Sequence, residues 1–182
     1  MSKLTYLILF LIVIFLSYGI LKEATKPSVK DKRISCQEQT ITFEKIANLK
    51  LIETSKNLLR SNNYYISSHI EYSKYMKSQL NKYINIEKSD ELLNKTIKNY
   101  LNKAEKTNKK LEIKYYIYEN DKEDKGKKGK KSKLYAGYLL FEFKLDNKLI
   151  YKIQTDYMKL NATDIPNRMD CVIRSFITLK GE

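Results

Sequence analysis

Three hydrophobic patterns follow one another along the chain, and each predicts a different kind of element. The first is Leu4–Leu21, an eighteen-residue run without a charge. As a helix it would measure about 27 Å at ~1.5 Å per residue, close to the ~30 Å hydrocarbon core of a bilayer. Its Leu, Ile, Val, Phe and Tyr residues occupy all sides of such a helix, which predicts a membrane span rather than a helix of a water-soluble core. Residues 1–21 therefore read as a membrane anchor, or an uncleaved signal. A cleaved signal peptide is the alternative. Lys3 supplies its basic start and Ser17-Tyr18-Gly19 a weak small-x-small site, but Ile20 and Leu21 carry the apolar run past that site. Residues 22–34, polar and broken by Pro27, read as a juxtamembrane linker.

The second pattern has the period of a helix. Ser35-Cys36-Gln37-Glu38 has capping-box spacing and predicts a helix to about Arg60, with Phe43, Ile46, Ala47, Leu51 and Leu58 on one face. Alternation in TITF and NLKL leaves a strand open for part of it. Ile66, His69, Ile70, Met76, Leu80, Tyr83 and Ile84 recur at three- and four-residue steps and predict a second helix over 65–84. A third begins at Ser89-Asp90-Glu91 and runs to Ala104, with lysines crowding the end where the helix dipole favours cations.

The third pattern has period two. Leu111, Ile113, Tyr115 and Ile117 alternate with polar residues, as do Leu139, Phe141, Phe143 and Leu145, and then Leu149, Tyr151, Ile153, Thr155 and Tyr157. Asp146-Asn147 is a hairpin signal between the last two runs. Residues 119–133 are low-complexity and predict a disordered, Lys-rich tip. Asp164 and Pro166 open a C-terminal helix, with a fourth strand over VIRSFITL as the alternative. The predicted class is α+β: an N-terminal transmembrane helix, then three helices, a three-stranded antiparallel β-meander and a C-terminal helix. Residues 35–182 form the single folded domain.

Charge changes this picture only in part. Lys and Arg total 35 against 21 acidic residues, a net charge of +14, yet the arginines are only Arg33, Arg60, Arg168 and Arg174. A basic chain attracts polyanions through counterion release. Base reading and bidentate phosphate grip are largely arginine work, so nucleic acid is the weaker expectation. Lys22, Lys26, Lys30, Lys32 and Arg33 follow the apolar run and favour a domain on the cytoplasmic side. Cys36 and Cys171 point the other way. They sit near the two ends of the folded part, where one disulfide would close the whole domain, and disulfides persist outside the cytoplasm. The alternative is two separate buried thiols, which pack as small apolar groups.

Catalytic chemistry is scarce. His69 is the sole histidine, no glycine lies between Gly19 and Gly126, and GKKGKKSK lacks the spacing of a phosphate loop. Glu112, Glu142 and Asp156 fall on strand faces expected to meet solvent. No enzyme, cofactor or metal is expected. Lys122, Lys125, Lys127, Lys128, Lys130, Lys131 and Lys133 form a candidate anion-contact loop, offset by Asp121, Glu123 and Asp124. Tyr116 and Tyr118 place tyrosine on an outer sheet face, which suits protein or glycan contact. The layout is broadly similar to that of membrane-anchored assembly components of bacterial envelope machines, though none of their motifs is matched. The expectation is a single-span protein with an extracytoplasmic domain, a non-enzymatic interaction or assembly component of the cell envelope. Its partners would be the membrane and another envelope protein or anionic envelope surface. The alternative is a cytoplasm-facing basic domain that binds anionic lipid or nucleic acid at the membrane.

Overall fold

The computed structural model describes residues 32–102, 107–126 and 134–181. Five strands make one mixed sheet: β1 (Thr42–Ile46), β2 (Tyr64–Glu71), β3 (Leu111–Glu119), β4 (Gly137–Leu145) and β5 (Lys148–Tyr157), in the order β1-β5-β4-β3-β2. Helices α1 (Ile52–Arg60), α2 (Ile86–Lys98) and α3 (Ile165–Ile177) pack against one face. This corrects the predicted architecture of a three-stranded meander behind an N-terminal transmembrane helix. Strands β3, β4 and β5 are the predicted meander, and β1 and β2 extend it on either side. Among the described residues no helix is long and apolar enough to cross a membrane. The span predicted over 4–21 lies outside the described residues.

The buried face of the sheet is the period-two set. Leu111, Ile113, Tyr115, Ile117, Leu139, Phe141, Phe143 and Leu145 are buried, and their alternate neighbours are half-exposed. The Phe143 and Phe176 rings stack at 4.0 Å, which seats α3 on the sheet, and Tyr115 stacks on Phe141 at 5.1 Å. Each such ring contributes roughly 1.5–3 kcal/mol through burial. Asp146 and Asn147, with φ of 50° and 61°, make the β4–β5 turn in the left-handed region that Asn and Asp tolerate. Gly137 opens β4 because nothing larger fits. A Cβ there would lie 2.0 Å from the Tyr118 carbonyl oxygen and 2.4 Å from the Tyr157 ring.

The helix predicted over 65–84 is a strand followed by a loop. Tyr64 and Ser68 turn toward α2, hydrogen-bonding Asn94 Oδ1 at 2.9 Å and Asp90 Oδ2 at 3.1 Å. Tyr65 and His69 turn outward and are exposed. The four-residue step between Ile66 and Ile70 fits both periods, and the aromatic, β-branched opening YYI decides for strand. Strand β2 runs parallel to β3, and the long connection such pairing needs carries α2. The helix predicted from Ser35 to Arg60 is divided into a 3-10 turn (Ser35–Gln39), β1, a second 3-10 turn and α1. Helix α2 starts earlier than predicted, with the Asn85 side chain accepting from the Lys88 amide at 2.9 Å. Helix α3 forms as predicted, although the Asp164 carboxylate accepts from the Met158 amide at 2.7 Å rather than from the helix's own first amides.

Cys36 and Cys171 form a disulfide with their Cα atoms 5.7 Å apart, joining the first 3-10 turn to α3. A polar clasp lies beside it. The Arg33 guanidinium donates to both Glu44 oxygens at 3.0 and 3.1 Å and to Thr178 Oγ1 at 2.8 Å. Gln37 Nε2 donates to Glu44 Oε2 and to Ser175 Oγ, each at 3.0 Å, and the Tyr151 hydroxyl also donates to Glu44. Burial alone would raise the Glu44 carboxyl, but these donors outweigh it and hold it below the usual carboxylate range.

Candidate binding face of the sheet

The three helices cover one side of the sheet, and among the described residues no helix covers the other. Strand register aligns the open side into rows. Phe43, Gln154, Leu140, Tyr116 and His69 cross all five strands in one row. Lys45, Lys152, Glu142, Lys114 and Ser67 make the row on one side, and Asp156, Tyr138, Tyr118 and Glu71 the row on the other. The aromatic rings form a continuous patch. Tyr118 stacks on Tyr138 at 4.6 Å, Tyr116 lies 6.0 Å from Tyr118, and His69 meets Tyr116 edge-on at 6.0 Å.

The charged row is equally organised. Glu142 accepts from Lys152 at 2.9 Å and pairs with Lys144 at 2.8 Å. Hydrogen bonding to Lys144 is the largest influence on the Glu142 carboxyl and holds it low. The Lys114 ammonium lies 5.3 Å from the centre of the Tyr116 ring, and its hydrogen bond with Tyr116 raises its pKa. A phenol is neutral near pH 7, and burial pushes those of Tyr118 and Tyr138 further up. Rigid rings, neutral hydroxyls and flanking ammonium groups can bind a surface by stacking and hydrogen bonding.

One end of this face is held by two carboxylates that bind backbone. Glu119 accepts from the amides of Ser73 (3.0 Å), Gln79 (2.7 Å) and Leu80 (3.0 Å). Asp121 accepts from those of Lys74 and Tyr75 (2.6 Å each) and Met76 (3.2 Å). Burial would raise Glu119, and the hydrogen bonds it accepts win and lower it. Residues 72–80, the loop that follows β2, are thereby tied to the end of β3. They border a cavity of about 380 Å³ whose walls include Tyr72, Tyr75, Tyr118 and Tyr138.

The structure brings Cys36 and Cys171 together. Of the candidate anion-contact lysines, Lys122 and Lys125 follow Asp121, half-exposed and exposed respectively, and Lys127, Lys128, Lys130, Lys131 and Lys133 lie outside the described residues. Asp121, which the sequence sets against those lysines, faces the loop amides instead. Glu119 and Asn120 belong to the ordered strand end, where Asn120 Nδ2 donates to the Tyr135 carbonyl at 3.0 Å. Tyr116 and Tyr118 stand on the outer face as the alternation predicts. The contributions of Tyr138 and His69 escaped sequence reasoning, and the period-two reading of 64–71 is the signal that finds His69. Among the described residues no group of three His, Cys, Asp or Glu side chains converges as a metal site. Compared with known proteins, the chain matches no family model, no curated protein and no solved structure.

Proposed function

We propose that the chain is a non-enzymatic interaction component of the cell envelope, directed to the membrane by its apolar N-terminal run. Its folded domain stands outside the cytoplasm and engages another protein through the open sheet face. The observation that carries this reading is the stacked patch of Tyr116, Tyr118 and Tyr138, spread over two adjacent rows beside Lys114 and Lys152, on an uncovered sheet. Tyrosine combines a large rigid contact area with a polar tip, and interfaces are enriched in it for that reason. The Cys36–Cys171 bridge supports an oxidising compartment.

The test is site-specific photo-cross-linking in the cells that make the full-length chain. A photoreactive residue at Leu140 or Gln154, between the tyrosines and the lysines, is expected to give one discrete protein adduct. The same residue at Lys95, exposed on α2, is expected to give none. Tyr116→Ser with Tyr138→Ser should reduce the adduct at least fivefold without changing chain abundance. Equal adducts from the sheet face and from α2, or none from the face, would remove the sheet from the interaction.

A further inference from the structure

The open face leaves unexplained a cleft of about 270 Å³ at the far corner of the same strand ends, between Gln39–Ile41, Leu134–Tyr135 and Asp156–Met158. Its rim is hydrocarbon: Ile41 is 56% exposed, Leu134 69% and Met158 45%. Against this rim lies the Asp156 side chain, only 5% exposed. The Asp156 amide donates to the Ile41 carbonyl at 3.0 Å, which fixes the residue, while its carboxylate makes no hydrogen bond among the described residues. Thr40 Oγ1, also at the cleft, is buried without a partner.

A buried carboxylate without a partner is expensive to hold, and folds normally pair it or hydrogen-bond it. Here the cation acting on it is Arg168 of α3, whose charge reaches it without a hydrogen bond and whose buried Nε has no hydrogen-bond partner among the described residues. Arg168 donates to Gln39 Oε1 at 3.3 Å and lies 4.0 Å from Asp164. Tyr135 feels the Asp156 charge without bonding to it. Among the described residues the Asp156 carboxylate therefore has no cation bonded directly to it, beside apolar groups that lack cover. An anion is repelled there, and the lone carboxylate is too few ligands for a divalent ion.

We propose that this cleft binds a primary ammonium group on a small apolar body. The Asp156 carboxylate takes the ammonium, and Ile41, Leu134, Tyr135 and Met158 cover the hydrocarbon. Charge complementarity selects the head and the exposed rim selects the body. The volume limits that body to about one ring or a short chain, since pockets for larger ligands run from about 300 Å³ upward. Two sources share this chemistry, a free aralkyl amine and the amino terminus of a peptide with an apolar first residue. The site does not depend on what docks on the tyrosine rows.

The experiment is an amide-resolved NMR titration of the full-length chain in lipid nanodiscs. Phenethylamine is expected to shift the Ile41, Tyr135 and Met158 amides at least tenfold more tightly than phenethyl alcohol, and 3-phenylpropionate to leave them unmoved. Asp156→Asn, nearly isosteric and uncharged, should remove the tenfold preference with the rest of the spectrum unchanged. Should that variant misfold, Met158→Gln at the exposed rim should weaken phenethylamine several-fold and leave the fold intact. Phenylalanyl-glycinamide binding tenfold tighter than phenethylamine, and lost on N-acetylation, assigns the site to peptide termini; the reverse order assigns it to free amines. Alcohol or propionate binding as tightly as the amine, or undiminished amine binding by Asp156→Asn, overturns the proposal.

Discussion

At the scale of single residues, hydrogen bonding separates two buried carboxylates, Asp156 and Glu119. Burial pushes the Asp156 carboxyl up to about 6, with the Arg168 charge pulling back. Glu119 is buried too, but the hydrogen bonds it accepts carry it below its ordinary value. The two therefore give opposite pH signatures. A raised carboxyl binds its proton more tightly in the folded state, so stability falls as pH rises from about 4 to about 6 and stays reduced above. Asp156→Asn removes that loss. Urea unfolding should find it about 1–3 kcal/mol more stable than the parent at pH 7.5, with the difference vanishing near pH 4. A constant difference across that range would show that Asp156 is not the titrating group. Sequence alternation places Asp156 on the solvent face, and by register it belongs there. The corner formed by Ile41, Leu134 and Tyr135 covers it, and no period in the sequence reports such cover.

At the scale of elements, legibility followed how many sides of a segment are read by its surroundings. Strands β3, β4 and β5 each have two strand neighbours and one apolar face, so alternation is strict in β3 and β4, is broken in β5 only where Ile150 and Asp156 are also buried, and the limits of all three are nearly those predicted. The edge strands lack that constraint. Most of β1 is exposed, and β2 combines Tyr64 and Ile66 with Ser68, so neither carries a clean pattern. The loop after β2 was invisible for a different reason. It is organised from forty residues away by Glu119, through bonds to backbone amides that any sequence possesses. Glu119→Ala should strand those donors and cost about 1–3 kcal/mol. Hydrogen exchange should speed up at residues 73–80 and stay unchanged in α3. The same loop should loosen as pH falls through the depressed Glu119 value, because the stability a lowered carboxyl contributes exists only while it is ionised. Exchange at 73–80 that ignores both the substitution and the pH would mean the loop is held by something else.

At the scale of the molecule, the disulfide bears on both stability and location. On the chain-entropy model a cross-link of this span contributes about 5 kcal/mol, and native strain reduces that figure. Cys36→Ser with Cys171→Ser should lose about 3–5 kcal/mol and lower the Tm by about 10 °C. Acid trapping of thiols in the producing cells, followed by a maleimide mass tag, tests location. An extracytoplasmic domain is expected to take no tag before reduction and two after. Two tags without reduction would favour the cytoplasm-facing alternative, in which the lysines meet anionic lipid or nucleic acid. The pairing itself was legible as a candidate, because two cysteines near the ends of a folded stretch have few other uses. The clasp of Arg33, Gln37, Glu44 and Ser175 was not, since only the fold makes those residues neighbours.

That bridge also decides how the domain answers to mechanical load. All five strands, from Thr42 to Tyr157, lie between Cys36 and Cys171 and so within the covalent loop. Tension applied to the chain before Cys36 and after Cys171 passes across the sulfur–sulfur bond and into α3. The sheet is shunted out of the force path. Stretching would unravel only the flanking segments, and a partner resting on the tyrosine rows would meet an undeformed surface while the chain on either side is pulled taut.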